Sequence, residues 1–390
     1  MLDLNQQEWV PGVGRRLRLA VALLGACSAS CAAASSNETT PDPGTECTAA
    51  VASDPDNCGQ CGHSCLGATC EQGRCTPVLV ASYEPPSFNP DAIPLALVTD
   101  DTYLFWVEPV TGGSFTLEGA KKAGSDETPV PLVQGLSYPS FARAYAANST
   151  VYVYGDDPSC GEVGCNPLSG SKEVSPAYGG SGSLIDAALC KSVAALSYGG
   201  ATVVFASPDG TTLGPLAGLP ATANAGRVAA NDTSFFVAGI ADTPGVQALW
   251  QFDQAAITVG SATAVAPTAQ LSGPDQAELG FLIADGDLLF ALGKASGELY
   301  RIDTAKQTVA SVATTPGAVP TRVDPDWAAV DASNVYWMTA TVGKAQILRV
   351  LKTGGAPTVL YEIIGSVGSM TADATSIYFS TSEGLWRLAK

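Results

Sequence analysis

The chain has 390 residues, with 19 basic and 37 acidic side chains and a net charge of -18. Only 14% of it is charged, against about 25% in an ordinary soluble domain. So few Lys and Arg exclude a nucleic-acid partner, whose phosphates need neutralising. The single His, His63, removes most Ser-His, Cys-His and His-metal chemistry.

Arg15, Arg16 and Arg18 precede the short apolar run Leu19 to Ala26, and Cys27 follows. This is the layout of a secretory signal peptide, and the run is too short to span a bilayer as a helix. Leu24-Gly25-Ala26-Cys27 resembles the bacterial lipobox, and the resemblance implies lipidation of Cys27. The alternative is cleavage near Ala32 to Ala34 and release as a soluble protein. Residues 1–31 are thus read as a signal peptide with lipobox, and residues 32–46, rich in Ala, Ser, Thr and Pro, as a flexible tether. The expected location is the outer membrane or cell surface, with the periplasm or the medium as alternatives. The lipid would be the only contact with the membrane.

Residues 47–75 hold Cys47, Cys58, Cys61, Cys65, Cys70 and Cys75. So short a segment cannot bury enough apolar surface to offset chain entropy, so it needs covalent staples. Six cysteines allow 15 pairings, and spacing does not choose among them. Cys58, Cys61, His63 and Cys65 also have the chemistry of zinc ligands. An oxidising compartment favours disulfides instead, so no metal and no cofactor is expected. The run Asn57-Cys58-Gly59-Gln60-Cys61-Gly62-His63-Ser64-Cys65 resembles the stigma-specific-protein-like Cys-rich module. That resemblance implies an extracellular structural or adhesive module.

Residues 76–390 show short β-branched and aromatic runs between Gly, Pro, Asp and Ser clusters, the pattern of strands and turns. A unit recurs in which a small or Asp/Asn residue is followed four positions later by an aliphatic-aromatic pair. It occurs as Asp100 with Leu104-Phe105, Ala147 with Val151-Tyr152 and Gly200 with Val204-Phe205. It continues as Asn231 with Phe235-Phe236, Asp285 with Leu289-Phe290, Asp331 with Val335-Tyr336 and Asp373 with Ile377-Tyr378. The mean interval is about 45 residues, the period of a four-stranded propeller blade. The fold class expected is all-β, a seven-bladed β-propeller. Six blades is the alternative if the short interval from Phe205 to Phe236 merges two repeats.

A second strand follows in several repeats, as in Tyr300-Arg301-Ile302, Leu348-Arg349-Val350 and Trp386-Arg387-Leu388. The last repeat stops after that strand, while Pro77 to Tyr83 is a strand with no neighbour of its own. Pairing the two would close the ring and cover an edge. The repeat from Asp331 to Leu360 resembles the Tyr-Trp-Thr-Asp propeller repeats of receptor ectodomains through Asp331, Tyr336, Trp337, Ile347, Arg349, Gly354 and Gly355. It departs from them at Met338-Thr339. The resemblance implies an extracellular binding propeller.

In a meander of strands a to d, the b–c and d–a connections share one face. The segment Gly155 to Ser171 reads as a long acidic b–c loop, with Asp156, Asp157, Glu162 and Asn166 as candidate binding residues. Cys160, Cys165 and Cys190 are placed at the same face as disulfide candidates: Cys160 pairs with Cys165, or one of them with Cys190, and the one left over meets Cys31 or stays free. No catalytic residue is assigned, since residues 76–390 contain no His. The expected function is a non-enzymatic, monomeric surface protein that recognises a protein or glycan. A carboxylate-based glycosidase or lyase and a structural envelope component are the alternatives. Carboxylates converging on the central channel would mark the enzyme.

Overall fold

A computed structural model describes residues 51–86, 92–110, 114–123, 128–136, 142–147, 150–155, 162–166, 170–174, 185–198, 202–207, 213–220, 223–240, 247–272, 278–315, 326–341 and 343–390. Two short strands, β1 (Cys70–Glu71) and β2 (Arg74–Cys75), form a hairpin, and β3 (Val78–Ser82) follows. Among the described residues, seven four-stranded antiparallel sheets follow. The first is β4 (Leu95–Thr99), β5 (Tyr103–Val110), β6 (Ser114–Lys121) and β7 (Val130–Leu136). The second is β8 (Ala142–Ala147), β9 (Thr150–Gly155), β10 (Glu162–Asn166) and β11 (Gly170–Val174). The third is β12 (Asp186–Cys190), β13 (Val193–Ser197), β14 (Val203–Ala206) and β15 (Leu213–Leu216). The fourth is β16 (Asn224–Ala230), β17 (Ser234–Ile240), β18 (Gln247–Asp253) and β19 (Ala269–Ser272). The fifth is β20 (Leu279–Asp285), β21 (Leu288–Gly293), β22 (Glu298–Asp303) and β23 (Thr308–Thr314). The sixth is β24 (Ala328–Val330), β25 (Asn334–Thr341), β26 (Lys344–Leu351) and β27 (Thr358–Ile364). The last is β28 (Val367–Ala372), β29 (Ser376–Thr381) and β30 (Gly384–Ala389), with β3 as its fourth strand. Six of these sheets have most of their side chains described. In the sheet β8–β11, β8 runs antiparallel to β9 with Ala142 opposite Gly155 and Ala147 opposite Thr150.

The ring closes by β3 running antiparallel to β30, with Val78 opposite Arg387 and Ser82 opposite Gly384. Polar side chains stitch the junction to the first sheet. Ser369 Oγ accepts from the Leu97 N–H at 2.9 Å, and Ser380 Oγ donates to the Pro94 carbonyl at 2.7 Å. Gly368 sits in that junction, where a Cβ would lie 2.3 Å from the Pro94 oxygen.

The recurring Asp or Asn begins the turn between the first and second strands. Its Oδ1 accepts from the backbone N–H groups two and three residues on, an Asx turn that replaces backbone pairing. Asp100 does so for Thr102 and Tyr103, Asn231 for Thr233 and Ser234, Asp331 for Ser333 and Asn334, and Asp373 for Thr375 and Ser376. In two repeats the aromatic of the pair completes the motif. Tyr336 donates to Asp331 at 2.7 Å and Tyr378 to Asp373 at 3.0 Å. The same aspartates then reach the adjacent sheet. Lys390 pairs with Asp331 at 3.1 Å, Lys122 with Asp373 at 2.8 Å, and Lys352 with Asp285 at 2.5 Å. The recurrent Arg of the third strand also crosses, from Arg301 to the Lys352 carbonyl and from Arg387 to the Lys122 carbonyl. The fifth, sixth and last repeats thus each carry their own bonds to the next sheet.

The third repeat is framed differently from its sequence reading. Phe205 lies on β14, the third strand of its sheet, whereas the other recurring aromatics lie on second strands. The second strand is β13, with no aromatic residue. That slip accounts for the irregular spacing. Phe205 still fills the same layer, since its ring lies 5.4 Å from Phe235 and 5.5 Å from Phe252.

Residues Ala49–Lys390 form one compact unit, which includes the cysteine module except Cys47. Disulfides join Cys58 to Cys70 and Cys65 to Cys75, and Cys61 is also disulfide-bonded. The sulfurs of Cys58, Cys65 and Cys75 lie together, and their S–S bonds leave no thiolate for a metal. Cys58, Cys65, Cys70 and Cys75 pack into the same apolar cluster as Trp327, Tyr336 and Phe379. His63 spans the junction, with Nδ1 2.6 Å from the Cys58 carbonyl oxygen and Nε2 2.5 Å from that of Lys390. Arg387 donates to the Leu66 carbonyl at 3.0 Å. The module thus clasps the strand that closes the ring.

Of Cys160, Cys165 and Cys190, Cys190 is not disulfide-bonded, which corrects its reading as a bridge partner. It is a free thiol, 3% exposed, packed with Val193, Phe205 and Val228. It ends β12 beside the a–b turn, which is the face opposite the b–c loops, so it cannot share an end with them. Burial pushes its thiol above the ordinary value. Iodoacetamide at pH 8 followed by peptide mapping should label Cys190 in denaturant and leave it unlabelled in the native protein.

Candidate functional site

The central channel is lined by residues of all seven innermost strands, β4, β8, β12, β16, β20, β24 and β28. Its volume is about 290 Å³. The lining is almost wholly Ala, Leu, Val, Ile and Met, because these strands pack shoulder to shoulder and leave room only for short side chains. Tyr145, Asp326 and Thr371 are the lining residues with polar side chains. Tyr145 donates to the Ala187 carbonyl. One carboxylate, Asp326, faces the channel among the described residues, so no carboxylate pair converges there.

The candidate loop resolves into two parts. Asp156, Asp157 and Cys160 lie outside the described residues, as do Cys27, Cys31 and Cys47. Glu162, Cys165 and Asn166 instead belong to β10, a strand and not a loop, with Cys165 opposite Val151. The correction has a simple cause. Without a third strand here, β9 would present an unpaired row of N–H and C=O groups.

A carboxylate pair does occur elsewhere, between the first and last sheets. Trp106 and Glu118 are directly opposite on β5 and β6, and Glu108 lies two residues along on the same face. Glu118 is 9% exposed. Burial, and then the Glu108 charge, push its carboxyl up to about 7. Burial also raises Glu108, against a 3.1 Å hydrogen bond from Trp106 Nε1. The buried Tyr83 beside them is raised for the same two reasons as Glu118. Sequence reading missed this pair because the residues sit on two strands and carry no motif.

A groove of about 270 Å³ lies between β27 and the last sheet. Phe379 forms its buried floor, with its ring 6.2 Å from that of Tyr361. The half-buried Tyr361 and Trp386 form the walls. Trp386 Nε1 donates to Thr381 Oγ1 at 3.0 Å, which fixes the indole and leaves its face to the groove. Ile364, 94% exposed, stands at the mouth. Glu362 is held by Lys344 at 2.7 Å and Gln346 at 2.8 Å. The exposed Glu383 carboxylate has no such partner among the described residues. Ser366 lies in the d–a connection and Ser382-Glu383 in the b–c turn, so the groove opens on the face where sequence reading placed binding. The alternation in β30 marked Trp386 as a strand residue, but its neighbour Tyr361 comes from another repeat.

No family model matches the chain, and no curated protein sequence matches it. Solved structures do. The WD40 β-propeller domain of Doa1 aligns with a TM-score of 0.54 at 14% identity, over 80% of this chain and 97% of that one. PorZ, described as an essential bacterial surface component of the type-IX secretion system of Porphyromonas gingivalis, aligns at 0.52 and 13% identity over 80% of this chain and 38% of that one. YCF48 bound to D1 peptide aligns at 0.51 and 12% identity, over 79% and 94%. At these identities the likeness shows the fold, and the chain is an all-β propeller with a disulfide-rich N-terminal module.

Proposed function

We propose that the chain is an exported surface protein, lipid-anchored through Cys27, whose propeller binds a protein or glycan on the b–c and d–a face. The observation that carries the binding reading is the aromatic groove of Tyr361, Phe379 and Trp386 on that face, with an unpartnered carboxylate at its mouth. The apolar lining of the channel among the described residues is consistent with binding at the rim. The disulfides support export, because such bonds persist in oxidising compartments. Among the described residues no helix is long and apolar enough to cross a membrane, so a lipid on Cys27 would supply the attachment. Cys27→Ala should move the full-length precursor's product from the membrane fraction to the soluble fraction, and intact mass of the wild-type protein should show the added acyl chains. An unmodified wild-type mass would count against the anchor.

The pair Glu108 and Glu118 favours the second reading, a carboxylate-based enzyme, since Glu118 keeps its proton near neutrality. Polysaccharide hydrolysis by the wild type that is lost in both Glu108→Gln and Glu118→Gln would establish it.

A further inference from the structure

We infer that the groove between β27 and the last sheet is a glycan subsite for a neutral or amino-bearing sugar, and not for a uronic acid. The inference rests on the binding-protein reading above and names the ligand of that face. Two partly exposed aromatic residues, Tyr361 and Trp386, wall a cavity of about 270 Å³, the size of one or two sugar rings. An aromatic face takes up the C–H face of a pyranose, and Trp386 offers its face because its N–H is already donated to Thr381. A sugar also needs hydrogen-bond partners for its hydroxyls at the rim of that platform. Ser366, Ser382 and Glu383 supply them from the d–a connection and the b–c turn.

Charge selects within the class. The Glu383 carboxylate is exposed and unpartnered among the described residues, and the chain carries a net charge of -18. A second carboxylate, Glu362, lines the same groove, with its charge met by Lys344. A uronic acid would set its carboxylate against Glu383, whereas a hydroxyl or an ammonium group would donate to it. An extended peptide would need a row of side-chain pockets along the edge strand β27. The groove offers one enclosed apolar floor, Phe379 with Ile363, and so suits a ring.

The part of the full chain's tryptophan fluorescence that Trp386→Phe removes reports on this groove. Trp106, Trp250, Trp327 and Trp337 are fully buried, and Trp386 is the partly exposed tryptophan among the described residues. Neutral gluco-oligosaccharides, N-acetylated and free amino-sugar oligosaccharides, an oligouronate and a Lys-rich peptide should be titrated in turn, by fluorescence and by calorimetry. The expected result is saturable quenching by a neutral or amino sugar and none by the oligouronate. Glu383→Ala should weaken that binding at least tenfold, and Trp386→Phe should weaken it and abolish the quenching, with the unfolding midpoint of Glu383→Ala unchanged. Absence of binding by every sugar overturns the inference, as does tighter binding of the oligouronate. If the Lys-rich peptide alone binds and both variants lose it, the glycan assignment fails while the binding-protein reading stands. Sugar binding that neither variant alters places the site elsewhere and also overturns it.

Discussion

Val80→Asp should lower the unfolding free energy by about 4 kcal/mol or more and open the ring at its closing sheet. Val80 is on β3, is fully buried, and packs with Leu97, Leu104, Trp106, Tyr378 and Leu385 from the first and last sheets. An ionised carboxylate there would be set among the apolar and aromatic side chains of this cluster, so it must either protonate at a cost or leave the core. Leaving the core means detaching β3 from β30, which exposes a sheet edge and frees the link to the cysteine module. The appropriate control is Val130→Asp, on the outer strand β7 and 59% exposed, which should change stability by about 0.5 kcal/mol at most. Urea unfolding followed by tryptophan emission reads both variants. Equal stability of the two would show that β3 is not part of the core. Wild-type protein with its disulfides reduced should also lose stability, by about 2–4 kcal/mol per bridge, because the clasp then adds its own chain entropy to the unfolding ring.

Glu118→Gln should stabilise the protein at pH 8 by about 3 kcal/mol relative to its effect at pH 4.5. The Glu118 carboxyl stands at about 7 in the fold against an ordinary 4.5, so the native state holds its proton more tightly than the unfolded chain does. The stability this provides is complete below pH 4.5 and is lost as pH rises to about 7. Gln keeps a neutral hydrogen-bonding group in the same space and removes that loss. Asp331 and Asp373 act in the opposite sense. Burial pushes both up, but bonds from Tyr336 and Tyr378, turn N–H groups and the ammonium groups of Lys390 and Lys122 outweigh it, leaving each at about 2. Their contribution is complete above 3.8 and is lost as pH falls through about 2. The unfolding midpoint of the wild type should therefore peak between about pH 4 and 5. In Glu118→Gln the alkaline side of that curve should flatten while the acid side is unchanged. An unchanged alkaline limb would show that Glu118 is solvated in the native protein.

Much of this architecture is legible in the residues alone. The Asp or Asn that starts most of these turns and the paired apolar residues that follow repeat because both are local devices. An Asx turn needs only its own next three residues, and a strand needs only alternation. The unpartnered strand at Val78–Ser82 could likewise be matched to the last repeat, since a missing fourth strand and a spare one are both visible in the chain. The cysteine pattern marked the module by the same local logic.

Contacts between repeats were not legible. Phe205 carries the right residue type in the wrong strand, because side chains from second and third strands fill one layer and the core accepts an aromatic from either. Cys190 looks like a bridge partner by count, yet strand direction puts it on the opposite face. Glu162 and Asn166 read as loop until the open edge of β9 requires a strand beside it. The pairing of Glu108 with Glu118, and of Tyr361 with Trp386, follows from sheet register and from the approach of neighbouring sheets. The turn-and-strand repeat and the cysteine spacing are properties of short stretches, so the sequence by itself determined them. Which carboxylates share a buried space depends on the register of β5 against β6, and which aromatics face one groove depends on how the sixth sheet meets the last, and only the tertiary structure decides either.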